Sequence, residues 1–153
     1  MTLYYDSDRA SVLDNRTRGV VAYRRRSGQS VRWEDPHGGR FDRRDLEIFD
    51  RLLVEGVEHE LRGRAWSRES LIAWLSWNDP NGAYFDEDAR RDGYDPLTKP
   101  EAADLVMSFV RENYETPQEM RTLARRDRSR ARRAGPRRRA RGRSGLGRRG
   151  RRG

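Results

Sequence analysis

The chain has 153 residues, 34 basic against 25 acidic side chains, and no cysteine. That length allows one domain, and the missing thiol excludes disulfides, thiolate metal sites and a cysteine nucleophile. The formal charge of +9 conceals a division: residues 121–153 hold 16 arginines and one acid, Asp127, a net +15, whereas residues 1–120 hold 18 basic and 24 acidic groups, a net −6.

All 14 aromatic residues lie at or before Tyr114, and 45 apolar residues fall within 1–120, enough for one modest core. Only six apolar residues follow, four of them alanine. A segment so poor in apolar surface cannot offset its chain entropy by burial. The expected organisation is a compact acidic α+β domain over 1–120 and an Arg/Gly-rich cationic tail over 121–153. The fold expected within it is an N-terminal β-hairpin packed with about four helices, followed by an Arg-rich basic helix and a disordered tail. Met1–Asp6 shows no basic stretch leading into an apolar run, and the longest apolar run, Leu71–Leu75, is far short of a membrane span. A cytoplasmic chain with no membrane span is expected. Lysine occurs once, at Lys99, against 33 arginines, a skew that suits a GC-rich bacterium, its phage or a plasmid.

In chain order, residues 1–18 are polar and weakly patterned, with a short helix expected from near Ser7 or Asp8. Val20, Val21 and Tyr23 give strand character, Ser27-Gly28-Gln29 signals a turn, and Val31 and Trp33 alternate with Arg32. These predict a β-hairpin over about 19–35. Asp42 is a helix N-cap, and Leu46, Phe49, Leu52, Leu53, Val57 and Leu61 recur at three- and four-residue spacing, predicting a helix over 43–61 with Gly63 as its stop. Ser67 caps a second helix through Leu71, Ile72, Ala73, Trp74, Leu75 and Trp77, apolar nearly all round and so expected at the centre of the core. Asn78 to Gly82 ends it. A polar stretch to Thr98 carries one expected helical turn at Asp86–Arg91. Thr98-Lys99-Pro100-Glu101 reads as a capping box opening a helix to about Asn113, and Thr116-Pro117-Gln118-Glu119 repeats the device at once. The helix it opens runs into the arginines and is expected to stop at Gly135-Pro136.

The candidate nucleic-acid-binding residues are Arg121, Arg125, Arg126, Arg128, Arg130, Arg132, Arg133, Arg137, Arg138, Arg139, Arg141 and Arg143. On a helix, Arg121, Arg125, Arg128 and Arg132 share one face, and guanidinium groups bind phosphate bidentately. With no aromatic residue after Tyr114, such a tail contacts the phosphates of DNA or RNA with little sequence specificity. The bland alternative is a solvated tail of biased composition. A lipid surface suits it less, because the basic stripe has no Trp or Phe to insert.

Asp79, Asn81, Asp86, Glu87 and Asp88 are hard oxygen ligands, but their spacing fails the EF-hand pattern, and turn formation with acidic residues at a helix N-terminus accounts for them. A carboxylate-metal nuclease is the enzymatic version of that cluster, and the third choice among functions. His37 and His59 share no ligand spacing, and neither a phosphate loop nor a serine elbow occurs. No cofactor, metal or catalytic residue is therefore assigned. Trp77, Tyr84 and Phe85, at a helix end and in a polar loop, are the candidate protein-binding residues, since large aromatics dominate interface hot spots. The function expected is an accessory nucleic-acid-associated protein whose body contacts a protein partner or a second copy. The runner-up is a protein-interaction module, an inhibitor or adaptor with an acidic helical body.

Overall fold

The computed structural model describes residues 2–27 and 30–122. The chain opens with two short strands, Leu3–Asp6 (β1) and Ser11–Asp14 (β2), paired antiparallel with Tyr5 opposite Val12. A helix start was expected here, and local chemistry explains the difference. The Asp6 carboxylate accepts the backbone N–H of Asp8 at 2.9 Å and of Arg9 at 3.3 Å. The same Asx bonding that caps a helix here closes the turn between two strands.

The expected hairpin follows as Val20–Ser27 (β3) and Ser30–Glu34 (β4), with Arg25 opposite Arg32 and Arg24 opposite Trp33. The four strands form one antiparallel sheet in the order β1-β2-β3-β4, with a register shift between Val12 and Leu13. Because side chains alternate across the pleat, Tyr5, Val12, Ala22 and Trp33 share one face and are all buried. Tyr4, Tyr23, Arg25, Arg32 and Glu34 fall on the other.

Arg43–Arg62 forms α1, opened by a capping box in which Asp42 accepts the Asp45 N–H at 2.8 Å and the Asp45 carboxylate takes the Asp42 N–H at 3.4 Å. Phe49, Leu53, Val57 and Leu61 recur every four residues and are buried along one face. A Cβ at Gly56 would lie 3.1 Å from the Tyr5 Cβ, Cδ1 and carbonyl oxygen, so the missing side chain lets α1 approach β1 closely. Trp33 sits between Tyr5, at a ring-centroid distance of 6.1 Å, and Phe49, at 5.6 Å, and its indole N–H donates to Asp50 at 2.9 Å.

Arg68–Asn78 (α2) begins at the expected cap, Ser67, whose hydroxyl accepts the Ser70 N–H at 3.1 Å. Leu71, Ile72, Trp74 and Leu75 are buried, while Ala73 is exposed, so the helix is one-sided rather than buried all round. Asp86–Arg91 (α3) occupies the span of the expected helical turn. Lys99–Asn113 (α4) starts at Thr98, which caps the Glu101 N–H at 3.3 Å. It buries Ala102, Ala103, Val106, Met107 and Val110 while packing against both α1 and α2. The single lysine, Lys99, donates to the Gly63 carbonyl at 2.8 Å and so closes the end of α1. Tyr114, at a φ of 50°, ends α4 in the left-handed conformation.

The strands and α1 to α4 belong to a compact unit spanning Met1–Pro117, and Gln118–Gly153 forms a second unit. Residues 117–122 are helical. The expected continuation of that helix, its stop at Gly135-Pro136 and the disordered end all lie outside the described residues. Among the described residues no helix is long and apolar enough to cross a membrane.

Candidate interaction surfaces

The acidic stretch after α2 resolves into separate pairings. Asp79 accepts the Tyr84 hydroxyl at 2.9 Å and the Asn81 N–H at 3.3 Å. Asp86 takes a short bond from the Arg68 guanidinium, and Asp88 pairs with Arg91 at 3.0 Å. Three carboxylates that are close in sequence thus point to three different partners. Among the described residues no group of three or more histidines or carboxylates converges to hold a metal ion. Both His37 and His59 are exposed.

Phe85, Tyr84 and Trp77, grouped by sequence, behave differently. Phe85 precedes α3 as its N-cap residue and is 51% exposed. Tyr84 is half-buried and folded back over Gly82, where a Cβ would come within 2.2 Å of the ring. Burial first, then the bond to Asp79, raises the Tyr84 hydroxyl above its ordinary pKa. Trp77 is half-buried, its ring 6.2 Å from that of Trp74. Phe85 alone of the three lines a cleft of about 450 Å³, together with Arg68, Glu69, Ile72, Asp86, Glu87 and Asp88. Arg68 shapes this cleft from the first turn of α2, a position the helix dipole disfavours for a cation. Two contacts hold it there, the bond to Asp86 and a second to the Leu97 carbonyl at 2.6 Å. Arg68 in turn holds the Asp86 carboxyl below its ordinary pKa, outweighing an opposing effect of burial.

The second surface is the face of the sheet turned away from Phe49 and Gly56. Arg25 and Arg32 stand directly opposite each other, 62% and 63% exposed, and share the Glu34 carboxylate at 3.1 Å and 3.9 Å. The Tyr23 hydroxyl is the largest of the influences that hold Glu34 below its ordinary pKa, and Arg25 and Arg32 add to it against a cost of burial. On the same face, Arg18 lies over the Tyr4 ring with its guanidinium carbon 5.6 Å from the centroid, and its Nη1 donates to the Tyr4 hydroxyl at 2.8 Å. Charge follows this architecture. Residues 1–40, which form the sheet, carry eight arginines and five acids, a net +3, whereas residues 41–120 carry ten basic and nineteen acidic groups, a net −9. Counted over 1–120 as a whole, the acidic excess hides these arginines. The available signal was the Ser27–Ser30 turn, because counting outward from it sets Arg25 opposite Arg32.

Of the candidate nucleic-acid-binding residues, Arg121 lies half-buried in helical segment 117–122. The eleven from Arg125 to Arg143 lie outside the described residues. The chain matches no protein-family model, and no curated protein or solved structure is significantly similar to it.

Proposed function

We propose that this chain is a small accessory nucleic-acid-associated protein of the cytoplasm. The segment from Arg121 onward holds a phosphate backbone with little sequence specificity, while the body contacts a protein partner or a second copy. In this reading the chain binds rather than catalyses. The observation that carries it is the concentration of 16 arginines and a net +15 within residues 121–153, where no aromatic residue is present to read bases. Neutralising phosphates releases condensed counterions, so such a segment binds a DNA or RNA backbone strongly and with marked salt dependence.

The test compares the full chain with a chain truncated after Met120, on duplex DNA and structured RNA, across a salt series. With roughly 6–10 phosphate contacts, full-chain affinity falls by about 10³–10⁵ between about 50 and 200 mM salt. Measurable full-chain binding near physiological salt and its large loss on truncation are the expected results. Equal affinity of the two chains would remove the tail from the proposal.

A second reading, a protein-interaction module acting as inhibitor or adaptor, is favoured by Phe85, which is 51% exposed beside a cleft whose lining has four acids and one arginine. Such a cleft suits a peptide segment carrying one apolar and one basic side chain. Under this reading Phe85→Ala loses a partner that the wild-type chain captures at physiological salt, with nucleic-acid affinity unchanged.

A further inference from the structure

We infer that the outer face of the β3–β4 hairpin, centred on Arg25 and Arg32, binds the backbone of an unpaired nucleic-acid strand. It is a contact site of the body, additional to the arginines from Arg121 onward. The inference rests on the nucleic-acid reading above and names a further site and a strand class for it.

Like charges directly opposite each other in a sheet destabilise it. Arg25 and Arg32 nevertheless occupy opposed positions, are each more than 60% exposed, and share one carboxylate, which leaves the trio with a net positive charge. Cross-strand neighbours have Cβ atoms about 4.5–5.5 Å apart, so both guanidinium groups reach one phosphodiester or two consecutive ones. Glu34 tethers both side chains, which lowers the entropy lost when the arginines take up an anion.

The same face supplies what the tail lacks. Tyr23, two residues before Arg25 on the same face of β3, presents an aromatic ring beside the arginine pair, and bases stack on aromatic rings and guanidinium planes alike. A duplex keeps its bases within its own stack, so these groups favour an unpaired strand. The sheet segment also carries a net +3 against −9 for the helical segment, so an anionic strand meets the sheet with less repulsion than the helices.

The experiment uses the full chain, wild type and Arg25→Gln/Arg32→Gln, with a mixed-sequence 20-nucleotide single strand and the matching duplex as probes, over a salt series. Circular dichroism and thermal melting establish that the variant is folded, which is expected because the substitutions remove a like-charge pair. The expected result is affinity for the single strand weakened by at least about 10-fold. The slope of log affinity against log salt falls by about 1.4, at about 0.7 per lost phosphate contact on a single strand. A smaller loss is expected on the duplex. A folded variant that matches wild type on the single strand overturns the sheet site and leaves the nucleic-acid reading standing. Equal losses on both probes overturn the assignment to an unpaired strand. A wild-type chain that binds neither probe at physiological salt brings down the nucleic-acid reading and this site with it.

Discussion

Trp74 shows how one side chain ties distant parts of the chain together. It is fully buried, and its indole N–H donates to the Pro117 carbonyl at 3.2 Å, across 43 residues of sequence. Trp74→Phe keeps an aromatic ring but removes volume and the indole donor to the Pro117 carbonyl. A loss on the order of 2–4 kcal/mol in urea unfolding is expected. Asp86 makes a prediction about pH. Its folded pKa is lowered by Arg68, so the stability it adds is present above the ordinary carboxylate range, about 4, and is lost as pH falls through the folded value. The wild-type chain should therefore unfold at higher urea than Asp86→Asn at neutral pH, and the gap should close under acid. A gap unchanged down to pH about 2 would mean that the Arg68 pair does not set it. Burial was legible for Trp74, because an apolar run in a capped helix has few other places to go. The inward turn of Tyr84 was not, because it depends on Gly82 leaving room and Asp79 being within reach.

At the scale of elements, the helices follow their caps. Asp42, Ser67 and Thr98 each accept a backbone N–H three residues on, and each opens its helix where the sequence places it. Asp42→Ala should cost about 1 kcal/mol, read as a lower thermal midpoint with the fold retained. Gly56 gives a sharper test. In an exposed helix interior, Gly→Ala gains about 1 kcal/mol of helix propensity. Here the new methyl meets Tyr5 at 3.1 Å, including a backbone oxygen that cannot rotate away. Gly56→Ala is therefore expected to be net destabilising by urea unfolding, and a stabilised variant would show that β1 and α1 separate at little cost. The strands divide in legibility. β3 and β4 are long enough for β-branched and aromatic residues to flank a turn signal. β1 and β2 are four residues each and joined by an Asx turn, so neither alternation nor helical period has room to show.

Across the whole molecule, charge is segregated into three segments: +3 over residues 1–40, −9 over 41–120 and +15 from Arg121 onward. The two cationic segments should differ in salt response. Removing Arg25 and Arg32 should lower the salt slope by a small increment, whereas truncation after Met120 should lower it by most of its value. A truncated chain that retains the full slope would assign the polyanion contact to the body alone. The ion pairs linking α1 and α4, Glu58 with Arg111 and Arg62 with Asp104, lie at the surface, where such pairs contribute little to stability. The core beneath them, Val57 and Leu61 with Val106 and Val110, accounts for the association of these helices.

What the sequence by itself determined is whatever depends on neighbours along the chain. That comprises the caps and period of α1, α2 and α4, the β3–β4 hairpin around its turn, and the division of charge near Arg121. Tertiary structure alone decided what depends on partners remote in sequence. β1 and β2 are strands because they pair with each other and β2 pairs in turn with β3. Asp86 answers to Arg68 across 18 residues, and Phe85 remains exposed where Tyr84 turns inward. The opposition of Arg25 and Arg32 stands between the two: the turn between Ser27 and Ser30 sets the register, and hydrogen bonding between the strands brings the pair face to face.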